Sequence, residues 1–128
     1  MKISAVSRQS GISADTLRYY ERIGLLPEIN RKENGIRDFN DLDLRRVEFI
    51  KCMRRAGLPI EVLIEYFRLV QQGPGTIEAR KEILMQQRAI VLARMAEMQR
   101  TLDLLNHKIS LYEDVVLERE IEITQKED

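Results

Sequence analysis

The stretch Ser13-Ala-Asp-Thr-Leu-Arg-Tyr-Tyr-Glu-Arg-Ile-Gly-Leu-Leu26 reads as a short helix with a marked start and stop. Ser13 is a good N-cap, because its hydroxyl can accept hydrogen bonds from the first free backbone N–H groups. Gly24 supplies the C-terminal stop. Leu17 and Tyr20, with Ile23 and Leu26 beyond, can face inward, while Arg18, Tyr19 and Arg22 project from the same rod. A cationic, aromatic, hydroxyl-rich helix is the type of surface that meets phosphates and base edges. The same residues also fit a plain surface helix with two half-buried tyrosines, so the flanking sequence has to decide.

Upstream, residues 2–11 read as a first short helix, with Ser4 able to cap it and Ala5 and Val6 supplying apolar contacts. Gly11 then permits the positive φ of a tight turn. Two short helices joined through a glycine make a helix-turn-helix with the second helix in the reading position, although many αα-hairpins share this spacing. Downstream, residues 27–40 have no helical period. Asn34-Gly35 is a hairpin turn signal, and Ile29 and residues 36–39 can form short strands. Arg31, Lys32 and Arg37 load this hairpin with positive charge. A basic hairpin directly after a helix-turn-helix is a wing; the other reading is a solvated loop.

A third helix can begin at Asp41 or Asp43 and run to about Ala56, with Val47, Phe49, Ile50 and Met53 as its apolar stripe. Arg45, Arg46, Lys51, Arg54 and Arg55 make it basic. Gly57 ends it, and Pro59 can sit in the first turn of the next helix, where its missing N–H costs little. That helix carries Ile60, Leu63, Ile64, Phe67 and residues 69–70 before Gln71-Gln-Gly-Pro-Gly75 breaks it. The boundary therefore falls here, with a head over 1–71 and a linker and dimerisation helix over 72–128.

From Thr76 onward there is no Gly or Pro. Val91, Met95, Met98, Leu102, Leu105, Ile109, Tyr112 and Val116 are spaced 4, 3, 4, 3, 4, 3, 4, a heptad seam. Charge interrupts it near its start, at Lys81 and Arg88. A helix over 76–118 of about 40 residues would be roughly 60 Å long, too long to bury its seam on so small a head. A second copy of the same chain is the most economical partner; the competing reading is a helix folded back over its own head. The polar end, residues 118–128, is expected to fray.

The net charge of zero hides an asymmetry: residues 1–59 carry 12 Lys and Arg against 8 Asp and Glu, a net +4, whereas residues 60–128 carry 9 against 13, a net −4. A basic first half beside an acidic second half fits a DNA-reading head on a dimerising tail. No apolar run approaches the roughly 20 residues that span a bilayer, and residues 1–10 lack a signal-peptide core. The single cysteine, Cys52, excludes an internal disulfide framework and points to a reducing, cytoplasmic setting. No glycine-rich phosphate loop or Cys–His pair supports an enzyme, since His107 lies far along the tail from Cys52. A coiled-coil adaptor without a DNA role would explain the tail, but not the basic wing or the Arg-Tyr-Tyr helix.

The order of parts resembles the MerR family of bacterial transcription regulators. Leu17-Arg-Tyr-Tyr-Glu-Arg-Ile-Gly-Leu-Leu-Pro27 is similar to the family's recognition segment, and Asn34-Gly-Ile-Arg-Asp-Phe39 to its wing ending, with Phe39 where Tyr is common. Leu44-Arg-Arg-Val-Glu-Phe-Ile50 and Ala56-Gly-Leu-Pro-Ile60 resemble the second helix pair. The resemblance covers roughly residues 1–70 and implies a mainly α fold: a winged helix-turn-helix head followed by a long helix forming an antiparallel coiled-coil homodimer. It implies binding to a palindrome in an overlong promoter spacer. The DNA is then bent and untwisted so that RNA polymerase meets both promoter elements, with repression by the uninduced form left open. By position, Arg18, Tyr19 and Tyr20 would contact DNA from the recognition helix and Arg37 from the wing. Ser13, Ala14 and Thr16 at the helix start, and Arg31 and Lys32 on the wing, join that DNA-facing set. Phe39 lacks the hydroxyl that could bond a phosphate.

The same resemblance narrows the signal. Metal-sensing branches carry cysteines at the two ends of the dimerisation helix, and this chain has none there. His107 alone cannot build a metal site. Iron–sulfur sensing needs a cysteine cluster, and multidrug sensing a large added ligand domain, so neither a cofactor nor a metal is expected. Glu48-Phe-Ile-Lys-Cys-Met-Arg-Arg-Ala-Gly-Leu58, with Leu63-Ile-Glu-Tyr66, resembles the branch that responds to aldehyde and thiol stress, which has a Cys at this position. Lys51, Arg54 and Arg55 flank Cys52, and nearby cations raise the thiolate fraction. Cys52 is thus the expected sensor of electrophiles such as formaldehyde or methylglyoxal. Two alternatives stay open: a half-buried packing cysteine, and a regulator whose small-molecule or partner signal bypasses it.

Overall fold

The computed structural model describes the backbone of residues 1–127 and the side-chain surroundings of residues 1–121. In order come α1 (Ile3–Ser10), α2 (Ala14–Arg22), α3 (Asp41–Arg55), α4 (Ile60–Gln71), a short 3-10 turn (Pro74–Thr76) and α5 (Ile77–Glu127). There is no extended strand among the described residues. The chain divides into two compact units, Met1–Gln87 and Arg88–Asp128.

In the first unit, local capping fixes where each helix begins and ends. Ser4 does not cap α1; the N-cap is Lys2, which makes no side-chain bond, because the helix starts one residue before Ser4. Gly11 closes α1 at φ 76°, and its N–H donates to the Ser7 carbonyl at 2.9 Å. Ser10, itself buried, accepts from the Ile12 N–H at 3.2 Å and so braces the turn. α2 begins as expected, with the Ser13 hydroxyl accepting from the Thr16 N–H at 3.1 Å. It ends in a Schellman arrangement: Gly24 at φ 83° lets the Leu25 N–H reach the Tyr20 carbonyl at 2.9 Å, with the Gly24 N–H on the Glu21 carbonyl at 3.3 Å. α3 begins at Asp41, one of the two expected starts, and its cap is Asn40. Its side chain accepts from the Asp43 N–H at 2.8 Å while Asp43 accepts from the Asn40 N–H at 2.9 Å, a reciprocal capping box. That pairing explains why Asp43 is buried.

These caps hold the helices around one core: Val6 from α1, Leu17 from α2, Leu25, Leu26, Ile29 and Phe39 from the segment between helices, Val47 and Ile50 from α3, then Leu58, Leu63 and Phe67. A fully buried leucine such as Leu17 contributes roughly 1.5–3 kcal/mol. Phe49 stacks on Tyr66 with ring centroids 5.8 Å apart and meets Phe67 edge-on at 5.9 Å, joining α3 to α4. After α4, the Thr76 hydroxyl donates to the Leu69 carbonyl at 2.6 Å and lies 2.8 Å from the Gly73 carbonyl. The Arg80 Nε in turn donates to the Thr76 hydroxyl at 3.0 Å, fixing the turn into α5.

The second unit is one stretch of α5. The tail expected to fray from residue 118 is helical as far as Glu127, and Asp128 lies outside the described residues. Met95, Met98, Leu102, Leu105, Ile109, Tyr112 and Val116 are all exposed, and Val91 is half-buried. The heptad seam is therefore an apolar stripe left bare in the single chain. Among the described residues no helix is long and apolar enough to cross a membrane.

Candidate nucleic-acid interface

Leu17, the inward side of α2, is buried. That single anchor turns the rest of the short helix outward: Ser13, Arg18, Tyr19 and Arg22 are exposed, and Ala14, Thr16 and Tyr20 are half-buried. The Ser13 hydroxyl also donates to the Thr16 hydroxyl at 2.9 Å. Arg18 NH1 meets Asp15 Oδ1 at 2.8 Å with both side chains well exposed, a pair worth little in water and readily exchanged for a phosphate. The Arg22 guanidinium carbon lies 5.4 Å from the centre of the Tyr19 ring, a cation–π contact that stiffens both side chains.

The wing forms, but not as a two-stranded hairpin. Arg31 and Arg37 make one antiparallel bridge. Inside it the Lys32 N–H donates to the Ile36 carbonyl and the Gly35 N–H to the Lys32 carbonyl, both at 2.8 Å. Gly35 takes φ 83°, and Asn34 Oδ1 accepts from the Ile36 N–H at 3.1 Å. The Asp38 N–H still donates to the Asn30 carbonyl at 2.6 Å, but the ladder goes no further, because the Ile29 N–H is taken by Glu21 Oε2 and the Phe39 N–H by the Met1 carbonyl at 2.8 Å. Residues at both ends of the loop are thereby committed, leaving too few for strands. The buried Phe39 ring anchors the base, so a hydroxyl at this position would emerge from a packed side chain.

The three wing cations have different duties. Arg31 NH1 donates to the Gly35 carbonyl at 2.9 Å and holds the tip closed. Lys32 is exposed. Arg37 Nε donates to Glu21 Oε1 at 2.8 Å, and Glu21 Oε2 accepts from the Ile29 N–H at 2.6 Å, tying the wing to α2. At the base, the Met1 ammonium donates to Asp38 Oδ1 at 2.8 Å and to the Phe39 carbonyl at 2.9 Å. That ammonium holds the Asp38 carboxyl below the usual carboxylate range. Sequence reasoning missed Glu21 as a strut, because nothing in its spacing links it to Ile29 or Arg37. It also missed the Asn40–Asp43 box, which the Asn-x-x-Asp spacing could have signalled.

Cys52 is exposed near the end of α3, not half-buried between helices. Of its cationic neighbours, Arg54 donates from NH1 to the Leu58 carbonyl at 2.8 Å. Lys51 is half-buried and Arg55 exposed. Among the described residues no group of His, Cys, Asp or Glu is placed to hold a metal ion.

A family model described as MerR HTH family regulatory protein matches residues 1–69, and one described as MerR, DNA binding matches residues 44–108. The HTH-type transcriptional regulator AdhR of Bacillus subtilis (strain 168) is 56% identical over 88 residues, 69% of this chain; the aligned stretch spans 63% of that regulator's own length. A MerR family transcriptional regulator from Listeria monocytogenes superposes with a TM-score of 0.91 at 46% identity, covering 98% of this chain and 95% of that one. HiNmlR, a MerR family regulator lacking the sensor domain and bound to promoter DNA, superposes with a TM-score of 0.80 at 34% identity, covering 88% of this chain and 90% of that one.

Proposed function

The chain belongs to the MerR family of helix-turn-helix regulatory proteins, and from that premise we propose that it is a homodimeric transcription regulator, not an enzyme, that binds promoter DNA. The observation that carries the reading is the pairing of an outward α2, with Arg18, Tyr19 and Arg22 exposed around buried Leu17, with a basic wing tethered to the same helix through Glu21. A protein–protein adaptor has no use for that pairing. The likeness to a regulator bound to promoter DNA supports it. In this reading Ser13, Ala14, Thr16, Arg18, Tyr19 and Tyr20 face DNA from α2, and Lys32 and Arg37 from the wing, while Arg31 keeps the wing tip closed.

The bare seam from Val91 to Val116 joins two copies as an antiparallel coiled coil, and the dimer reads a palindrome within a long promoter spacer. Distorting that spacer presents both promoter elements to RNA polymerase in the cytoplasm. The inducing signal is a reactive aldehyde or related electrophile acting at Cys52. Exposure of the thiol and the resemblance of Glu48–Leu58 to the aldehyde- and thiol-stress branch support this.

Two measurements test the layers separately. Duplex binding should weaken steeply with salt, since each neutralised phosphate adds about −0.9 to the slope of log K against log salt; a flat response contradicts DNA binding. In a reporter strain, Cys52→Ala should abolish induction by formaldehyde or methylglyoxal while leaving the footprint intact. Unchanged induction sinks the thiol-sensing layer alone.

A further inference from the structure

Glu21 is an anion on the helix proposed to face DNA, and unlike Asp15 on the same helix, whose side chain is 95% exposed, it is largely buried. Its carboxylate is only 13% exposed and is held on both sides: Oε1 by Arg37 Nε at 2.8 Å, Oε2 by the Ile29 N–H at 2.6 Å. Ile29 leads into the wing two residues before Arg31, and Arg37 closes it as the other half of the Arg31–Arg37 bridge. One carboxylate thus fixes both arms of the wing to the end of α2. Arg37 is 21% exposed, and no described residue accepts from its two terminal nitrogens, so a further acceptor can engage them.

We propose that Glu21 is a positioning residue for DNA binding. It orders the wing against the recognition helix and presents the Arg37 guanidinium to a backbone phosphate beside the groove that α2 enters. The inference rests on the DNA-binding reading above and deepens it. A guanidinium gripped at Nε keeps its planar fork while the other nitrogens bond an anion. Preorganisation spares the entropy of ordering a long side chain and a loop at the moment of binding. Direct repulsion between Glu21 and phosphate acts in the opposite sense, so the two effects give opposite signs on mutation.

The test is fluorescence anisotropy with the full chain and a duplex from its own promoter, across a salt series, for wild type, Glu21→Ala, Glu21→Gln, Arg37→Ala and the Glu21→Ala/Arg37→Ala double variant. Glu21→Ala should weaken binding roughly tenfold, the scale of one charge-assisted hydrogen bond, although it removes a negative charge. Its salt slope should fall by about one phosphate equivalent, as should that of Arg37→Ala. The double variant should bind no more weakly than Arg37→Ala, and Glu21→Gln, able to accept only one of the two bonds, should fall between. Circular dichroism at the assay temperature checks that each variant is folded. If Glu21→Ala unfolds, Glu21→Gln and Arg37→Ala carry the same comparison. Wild-type-like or tighter binding by the folded Glu21 variants, with an unchanged slope, overturns the proposal while DNA binding stands. Absence of wild-type binding at low salt removes the DNA-binding reading and this inference with it.

Discussion

Truncating Leu105 to Ala probes the proposed dimer seam at its middle. Leu105 keeps 54% of its surface bare in the single chain, beside Leu102 at 49% and Ile109 at 54%. Burying a whole leucine side chain contributes roughly 1.5–3 kcal/mol, so covering the remaining half gives about 1–1.5 kcal/mol per chain. A two-fold dimer contains the site twice, which makes the loss about 2–3 kcal/mol and raises the dimer Kd roughly 30- to 150-fold. Sedimentation equilibrium measures this directly, and the thermal midpoint at a fixed protein concentration should fall. Arg100→Ala, on the polar side of the same helix, is the control and should leave Kd within about twofold. If Leu105→Ala shifts Kd no more than Arg100→Ala does, the heptad reading of α5 is wrong, and the bare stripe serves something other than a second copy.

Ser13→Ala removes the cap of α2 and should lower stability by about 1 kcal/mol in urea unfolding; no change would mean the Ser13–Thr16 bond is not retained in solution. Thr76→Val deletes a hydroxyl that meets the Leu69 and Gly73 carbonyls and accepts from Arg80, and should lower stability by roughly 1–2 kcal/mol; a neutral result would show that the turn into α5 does not depend on it. Asp38 and Glu65 are held below the usual carboxylate range by hydrogen bonds from the Met1 ammonium and from Arg68. A lowered folded-state value contributes stability above the unfolded value, lost as pH falls through the lowered one. The thermal midpoint should therefore be insensitive to these two groups above about pH 5 and fall below it, and Glu65→Gln should shallow the fall. Cys52→Ala, at an exposed position, should change stability by less than about 0.5 kcal/mol; a larger loss would reassign Cys52 from signalling to packing.

The helices were legible because each carries its own punctuation: Ser13 and Gly24 bound α2, Gly57 and Pro59 separate α3 from α4, and Gly73-Pro74-Gly75 precede α5. The apolar spacing from Val91 to Val116 marked a stripe that the single chain leaves exposed apart from half-buried Val91. The wing was harder. Ile29 and Phe39 have the residue types of strands, but their backbone N–H groups bond Glu21 and the Met1 carbonyl, partners outside the wing. The Glu21 strut spans eight residues to Ile29 and sixteen to Arg37, separations that no local pattern encodes. Cation clustering around Cys52 was visible in sequence. That Arg54 instead bonds the Leu58 carbonyl depends on how the link between α3 and α4 folds back toward the end of α3, which no local pattern shows. The start of α3 was legible at Asp41, whereas its Asn40 cap shows only in the reciprocal bonds with Asp43.

The central claim is that two copies of α2 and its wing read promoter DNA. A DNase footprint on the DNA upstream of its own coding sequence, with wild type and Arg18→Ala side by side, addresses it most directly. One protected site with two-fold sequence symmetry is expected between the promoter elements, lost or much weakened for Arg18→Ala. No protection at low salt and concentrations above the dimer Kd, or protection unaffected by Arg18→Ala, would contradict it.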